Sequence, residues 1–479
     1  MSNSKPTLAP HPITPFWRTE PHALDNHRST PSLPSECDIA IIGAGYAGAS
    51  VVHHILEQTA SLPNKDRPSI VLLEGREACS GATGRNGGHL KPDPYNRIAS
   101  LANKYGLDAA REVAEFEARH VDAIAELVEK ENIDCDLHVT EAIDVHTNPA
   151  HAKGLKEQYD VLVSGGVDPT ARTRFIPAEE AEEFSGVKNA AACFTYKAAH
   201  LWPYKLILHL LQKAVDAGVN LQTNTPVSSI AKTSTMEGQP SWTICTPRGT
   251  LRTKTLILAI NGYTSSLLPQ YKTAITPVRG TCSRIVVPPS QYNSNPSTRL
   301  NKSYTIRHNA WNYDYLIPRQ DGSIVVGGAR PAFYDEKEKW FGVSDDSTVL
   351  EGAVRYFDGY MQRHFKGWEG SGAYTDRVWT GIMGYSSDNL PHVGPVPGQG
   401  QDQEGLWVIA GFTGHGMPQV YLSADGLARM IVGGVGFKES GLPILFETTE
   451  ERLASKANQD QVAGAGLSDQ GTGRVGARL

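Results

Sequence analysis

Three glycines at the spacing Gly43-x-Gly45-x-x-Gly48 follow the apolar run Ile39-Ala-Ile-Ile42, and Glu74 closes a second apolar run, Ser69-Ile-Val-Leu-Leu73. Residues of these types in this order can hold a dinucleotide. Gly43 lets the chain turn, Gly45 lets bare backbone approach a pyrophosphate, and Gly48 lets the following helix pack closely on its strand. Ala44, Tyr46 and Ala47 complete the loop, where free amides and the positive end of a helix dipole face the phosphates. The Glu74 carboxylate can accept hydrogen bonds from ribose hydroxyls, and its charge disfavours a 2′-phosphate.

The elements that must position these groups surround them. Ile39–Ile42 reads as a buried strand, and residues 47–56 continue with helical spacing. Glu74 lies 26 residues after Gly48 (74 − 48), and the insertion Pro63-Asn-Lys-Asp-Arg-Pro68 accounts for that length. Upstream, residues 1–36 carry seven prolines and predict an extended arm, with Phe16-Trp17 docked on the body. Residues 98–131 predict one helix that buries Val113, Phe116, His120, Ile124, Leu127 and Val128. Residues 206–217 predict a helix, and strands are expected at 221–227, 242–245 and 251–260, of which 255–260 is apolar on both faces as in a buried parallel sheet. Residues 275–330 alternate β-branched and aromatic residues with turns such as Asp321-Gly322, which predicts a mainly antiparallel sheet. A buried strand at 406–410 then runs through Gly411-Phe-Thr-Gly-His-Gly416 into a helix at about 419–430.

Composition narrows the function classes. A chain of 479 residues suggests two domains, and its net charge of −6 gives no basic footprint for nucleic acid. No apolar run approaches the ~20 residues of a membrane span, and no secretory signal is expected at the N-terminus. The six cysteines are scattered without a CxxC pair, so they read as reduced thiols of an intracellular protein and not as a metal site.

After Glu74 comes a second glycine-rich block containing Ser80-Gly-Ala-Thr-Gly-Arg-Asn-Gly-Gly88 and His89. This block resembles the second glycine loop of FAD-dependent amine and amino-acid oxidases, the superfamily of D-amino-acid, glycine and sarcosine oxidases, and looks closest to its γ-glutamylputrescine oxidase branch. Leu390-Pro-His-Val-Gly394 and Gly411-Phe-Thr-Gly-His-Gly-Met417 resemble the same family's C-terminal flavin segment, so the resemblance runs from about residue 16 to 434. It implies FAD as cofactor, held further by Ser80, Thr83, Arg85, Asn86, Gly87, Gly88, Val227, Gly384, Gly414, His415, Gly416 and Met417. Chemistry agrees. Ser80, Thr83 and Asn86 can hydrogen-bond a ribityl chain, and the 411–416 turn can aim amides at flavin N1 and O2, where negative charge develops on reduction.

The resemblance further implies oxidation of a C–N bond of a small amine or amino acid to an imine, by hydride transfer to flavin N5, with molecular oxygen as acceptor. Such a reaction needs positioning and exclusion of water more than a catalytic triad. Candidates are His89 and His415 near the flavin, Arg330 for a substrate carboxylate, and the aromatics Trp311, Tyr313, Tyr315, Trp379 and Tyr385. In some relatives a histidine of the second loop bonds the flavin covalently; Arg85 stands nearer that position here, so non-covalent FAD is expected. The cysteinyl link of the sarcosine branch is excluded, because the last cysteine is Cys282. Sarcosine-type oxidases also place a lysine over the flavin, and residues 323–330 contain none, which leaves open a dehydrogenase with another acceptor. A flavin monooxygenase is the other alternative, against which the chain has no Gly-Asp dipeptide.

The expected fold is α/β. A Rossmann-type FAD-binding domain (36–97, 195–274, 375–436) is interleaved with an α+β substrate domain (98–194, 275–374) built on a mainly antiparallel sheet. The Pro-rich arm (1–35) precedes them and a flexible tail (451–479) follows. The ending Ala477-Arg478-Leu479 resembles a Ser-Lys-Leu peroxisomal signal, which an import receptor would read, with the cytoplasm as the alternative address.

Overall fold

In the computed structural model, which describes residues 5–167, 173–236, 239–290, 298–398 and 404–455, two large sheets share the chain. The first grows from β1 (Glu36–Ile42), followed by α1 (Tyr46–Gln58) and β2 (Ile70–Leu73). β1 and β2 pair in parallel, so Glu74 ends its strand beside the glycine turn. The chain then enters the second sheet through β3 (His89–Leu90), helices α2 (Asn96–Tyr105) and α3 (Leu107–Glu131), and β4 (His138–His146). Helix α4 (Pro149–Ser164), β5 (Arg174–Ile176), α5 (Ala178–Ser185) and β6 (Ala192–His200) complete this passage.

Helix α6 (Pro203–Asp216) returns the chain to the first sheet, where β7 (Asn220–Gln222), β8 (Ser229–Met236), β9 (Gln239–Thr246) and β10 (Gly249–Leu258) follow. A second visit to the other sheet supplies β11 (Ile275–Val286), β12 (Ser303–Arg307), β13 (Tyr313–Pro318), β14 (Ile324–Gly328) and β15 (Tyr374–Ser386). The last strands, β16 (His392–Pro395) and β17 (Leu406–Ala410), close the first sheet. Its order is β16-β17-β10-β1-β2-β7, with β9 paired to β10 and β8 to β9. The second runs β15-β11-β14-β13-β12-β4-β6-β3, with β5 on β6. Strand β10 lies parallel to both β1 and β17, as its two apolar faces predict.

Several expectations shift. His89–Leu90, Ala192–His200 and Tyr374–Ser386 pair in the second sheet, so sheet membership changes near residues 88, 201 and 387 and not at 97, 194 and 374. The helix expected over 98–131 is two helices, because Gly106 takes φ +89° and breaks the backbone between them. The strand expected at 221–227 is only Asn220–Gln222, since Asn224 takes a left-handed turn and Pro226 follows. The second sheet is mainly antiparallel, but β12 lies parallel to β4. Of the tail, Glu450–Ala454 is a short helix, and Ala477-Arg478-Leu479 lies outside the described residues. Among the described residues no helix is long and apolar enough to cross a membrane.

In the arm, Trp17 is fully buried and Phe16 nearly so, each in a short 3₁₀ turn. The Trp17 indole donates to the Asn86 carbonyl, and the Trp202 indole donates to the Trp17 carbonyl at 2.7 Å. From the other side, the Trp379 indole donates to the Arg85 carbonyl at 2.8 Å. The second glycine loop is thus clamped by ring N–H groups at two successive carbonyls.

Candidate functional site

A cavity of about 730 Å³ opens where the two sheets meet, within the roughly 300–1,000 Å³ of ligand-binding clefts. Its wall includes Gly43, Gly45, Tyr46 and Ala47 of the first turn, and Glu74 at the end of β2. Thr83, Arg85 and Asn86 of the second loop line it too, as do Val227 and, at the other end of the chain, Gly414, Gly416 and Met417. Twelve of the residues expected from sequence to hold a cofactor therefore converge on one space.

The glycine turn has the stereochemistry that a phosphate cradle needs. A Cβ on Gly48 would lie 1.8 Å from the Gly43 carbonyl oxygen, and one on Gly43 would lie 2.5 Å from that of Ala259. Those two glycines serve packing. A Cβ on Gly45 would meet only Thr83 Oγ1, at 3.2 Å, and would otherwise project into the cavity. Gly45 is also the N-cap of α1 and has no side chain of its own to cap that helix end. Its Tyr46 amide donates to Thr83 Oγ1 at 2.9 Å. The Glu74 carboxylate is fixed by the amides of Ala44 (2.9 Å) and Arg76 (3.0 Å), which leaves each oxygen a further lone pair for a ligand hydroxyl.

At the far end, Thr413 and Gly414 are both left-handed (φ +51° and +72°), which turns the chain over the cavity. Asn261 Oδ1 holds the start of this turn by accepting from the Gly411 amide at 2.9 Å. The amides of Gly414, Gly416 and Met417 make no hydrogen bond among the described residues, and all three residues line the cavity. Unpaired donors there suit the polar edge of an isoalloxazine ring. Between the two ends lie Gly280, Cys282, Tyr315, Gly381 and Met383 from β11, β13 and β15, a wall of which the sequence marks Tyr315 as a candidate.

Other expected residues sit elsewhere. Gly87 and Gly88 do not line the cavity. A Cβ on Gly87 would meet the Tyr315 ring at 2.3 Å, and one on Gly88 would meet Ile317, the Leu201 carbonyl and Trp17. Gly384 packs against Asn261 and the Gly262 amide. Ser80 is buried; its carbonyl accepts from Arg85 Nε at 2.7 Å. Arg85 and Arg76 converge on Asp346, a buried carboxylate at 3.2 Å from one and 2.8 Å from the other.

His415 turns away from the cavity. Its Nε2 lies 2.9 Å from Oε2 of Glu117, a buried carboxylate on α3 that also takes Arg97 (2.9 Å) and the Gln419 amide (2.7 Å). Burial alone would raise the Glu117 carboxyl, but His415, Arg97 and the Asp93 amide hold it down at about 2. His89 sits on β3 with its ring 5.7 Å from that of Tyr315. Burial, with Lys91 and His200 near it, pushes its pKa far below the ordinary histidine value, so the ring is neutral. Trp379 is fully buried and engaged with the second loop, and Trp311 is largely exposed.

Arg330 and Tyr385 do meet: Arg330 Nη2 lies 3.1 Å from the Tyr385 hydroxyl and 3.4 Å from that of Tyr313. The guanidinium also lies 4.6 Å over the Tyr313 ring. Tyr385 in turn borders Gly414, whose Cβ would lie 3.5 Å from its ring. Burial works against the Arg330 charge, yet the oxygens of Tyr313, Tyr385 and Tyr334 offset it and hold its pKa above the usual arginine value. Arg330, chiefly, pulls the Tyr313 phenol below its ordinary range.

The fold and this cavity define a dinucleotide-binding protein, and comparison with known proteins gives the family. The chain belongs to the DAO family of FAD-dependent oxidoreductases, whose description matches residues 38–430. It is 22% identical over 406 residues to the γ-glutamylputrescine oxidoreductase of Escherichia coli (strain K12), covering 83% of this chain and 84% of that one. Its fold resembles the L-proline dehydrogenase of P. horikoshii (TM-score 0.64, 18% identity, 84% of this chain and 95% of that one). The glycine oxidase of Geobacillus kaustophilus is similar too (TM-score 0.64, 20% identity, 84% and 96%). The cofactor is FAD, and the cavity's glycine cradle, Glu74 and unpaired amides fit it.

Proposed function

We propose that the protein oxidises the C–N bond of an amino acid, or of an amine bearing a carboxylate, to an imine. Bound FAD supplies the two-electron acceptor for the α-hydride. One observation carries the substrate class: Arg330 is a half-buried cation with no carboxylate partner among the described residues. Its hydrogen bonds go to two tyrosine hydroxyls and the Trp311 carbonyl. Arg307, 4.9 Å from the same Tyr313 ring, is by contrast matched by Asp144 at 3.4 Å and Asp93 at 3.8 Å. A half-buried guanidinium without its own anion favours a ligand that brings one.

In this reading Arg330 anchors the carboxylate, and Tyr313 and Tyr385 keep the guanidinium aimed while excluding water. The tie from Tyr385 to Gly414 sets that anchor beside the turn expected at the flavin's pyrimidine edge. Gly45, Glu74, Thr83 and Asn86 hold the remainder of the cofactor. His415 takes a positioning role through Glu117, and the neutral His89 ring packs under Tyr315. The relative's name, γ-glutamylputrescine oxidoreductase, and those of the glycine oxidase and L-proline dehydrogenase agree with amine or amino-acid substrates.

A panel of amino acids and their decarboxylated amines, mixed with the enzyme without air, tests this by bleaching of the flavin absorbance. The carboxylates should reduce the flavin, and Arg330→Met should raise their KM by roughly 30-fold or more, as removing a charged partner of 2–5 kcal/mol does. Reduction by alcohols or phenols alone, or equal reduction by the decarboxylated amines in both proteins, would reject the proposal.

Oxygen is the proposed acceptor. A second reading, a dehydrogenase with another acceptor, is favoured by β14, Ile-Val-Val-Gly-Gly, which places no lysine beside the cavity. Mixing reduced enzyme with air-saturated buffer separates the two by the rate of flavin reoxidation. The peroxisomal reading of Ala477-Arg478-Leu479 rests on those three residues alone, and a relative from Escherichia coli weighs against it.

A further inference from the structure

The cavity has a wall that belongs to neither sheet. Residues Lys5 to Pro10 of the N-terminal arm line it, although the family match begins only at residue 38. The arm is held there by several contacts. Ser344 Oγ accepts from the Thr7 amide and donates to the Thr7 carbonyl, each at 3.1 Å. The Ile13 amide donates to the Asp346 carbonyl at 3.0 Å, and Arg76 Nη1 donates to the Ala9 carbonyl at 3.3 Å. Leu8 lies across Gly75, where a Cβ would come within 2.4 Å of its Cδ1, and the same position borders Pro226 at 3.7 Å.

Gly75 follows Glu74, the carboxylate expected at the ribose, so this part of the cavity is the adenosine end. We propose that Leu8, Ala9 and Pro10 form the outer wall of the site for the adenosine half of FAD and slow its departure. This rests on the reading that the cavity holds FAD with its ribose at Glu74. The chemistry is suited to an adenine: the side chains of Leu8, Pro226 and Val227 offer an apolar slot beside the carboxylate. Leu8 is only half-buried in the protein itself, so a flat base against it would remove more apolar surface from water. Pro6 and Pro10 fix φ on either side of Leu8, which lowers the entropy lost when the arm lies extended over the slot. Arg76 and Asp346 serve both partners. The side chain that holds Ala9 is the one locked to Asp346, whose carbonyl holds Ile13.

The test compares the full-length holoenzyme, a form lacking residues 1–10, and Leu8→Asp. Release of FAD is followed as the rise of flavin fluorescence on dilution into excess unlabelled competitor, ADP. Both altered proteins should release FAD roughly tenfold faster or more, the scale set by withdrawing one leucine from apolar contact. In apoprotein, ADP affinity should fall by a similar factor while riboflavin affinity stays unchanged, because only the adenosine half touches the arm. Equal release rates in all three proteins, or equal losses of ADP and riboflavin affinity, would overturn the proposal. A full-length protein that fails to take up FAD would overturn the underlying site reading instead. Leu8→Asp keeps the test decisive if the truncated chain does not fold, since that half-buried position lies outside both sheets.

Discussion

Glu117 Oε2 lies 2.9 Å from His415 Nε2, which ties the middle of α3, a helix between strands of the second sheet, to the turn that caps the cavity at its far end. The same carboxylate holds Gln419, just before the helix Val420–Gly433 that follows the turn. Replacing Glu117 with Gln removes the charge but keeps the shape. The variant should lose about 3 kcal/mol or more in urea unfolding, the usual result of breaking a buried ion pair. It should also bind FAD more weakly, read by flavin fluorescence, since Gly414 to Met417 would lose their anchor. Unchanged flavin affinity would disconnect the pair from the site.

The pH dependence of that pair has a definite sign. Glu117 sits at about 2 in the folded protein against an ordinary value of 4.5, so its deprotonated form is favoured by folding. Its contribution, on the order of 3 kcal/mol, is complete above about pH 5 and is lost as pH falls from 4.5 towards 2. Urea unfolding at pH 7 and pH 3 should therefore differ less in Glu117→Gln than in the parent. An identical pH dependence in both would place the acid sensitivity elsewhere.

The first turn predicts two contrasting variants. Gly45→Val adds atoms that meet only Thr83 and then enter the cavity, so the protein should fold and come out colourless. Gly48→Val drives a side chain into the Gly43 carbonyl and should not fold, because helix and strand cannot separate without losing their core contact. Circular dichroism and flavin absorbance distinguish these outcomes. Yellow Gly45→Val protein would show that the turn does not touch the pyrophosphate.

Asp346 pairs with Arg76 and Arg85 at once, with side chains of all three largely buried. Asp346→Asn removes the one carboxylate that two enclosed guanidiniums share and should cost about 3 kcal/mol or more of stability. Because Arg76 also holds Ala9, the variant should speed FAD release as well. Thermal unfolding and the fluorescence release assay check both effects.

Local signals in the sequence mark one half of the site and miss the other. Strand, glycine turn, helix, strand and Glu74 lie within some forty residues, and each feature has its own stereochemical signature there. Gly87 and Gly88 read equally well as ligand approach or as room for a ring; in the fold they make room for Tyr315 and Trp17. His415 looks like a flavin-facing residue because its partner, Glu117, is 298 positions away and sits in an ordinary amphipathic helix. Gly106 breaks a helix whose apolar spacing continues on both sides, so periodicity alone carries the eye across it. In the wall from Gly280 to Met383 the sequence marks Tyr315, but the other strand residues carry no signal until β11 and β15 pair.

The pairing of β1 sets an order of events during synthesis. On one side β1 meets β2, where Ile42 faces Leu73, and that neighbour leaves the ribosome soon after it. On the other side Ile42 faces Leu258 of β10, which must itself await β17 at Leu406–Ala410. The glycine turn is thus made early, while the turn at Gly411–Gly416 that completes the cavity arrives after more than four-fifths of the chain. A nascent chain exposes an apolar strand edge until β17 emerges, and FAD finds its full set of contacts only after that. Cells short of riboflavin should accordingly accumulate this protein as full-length, aggregation-prone apoprotein instead of stalled fragments.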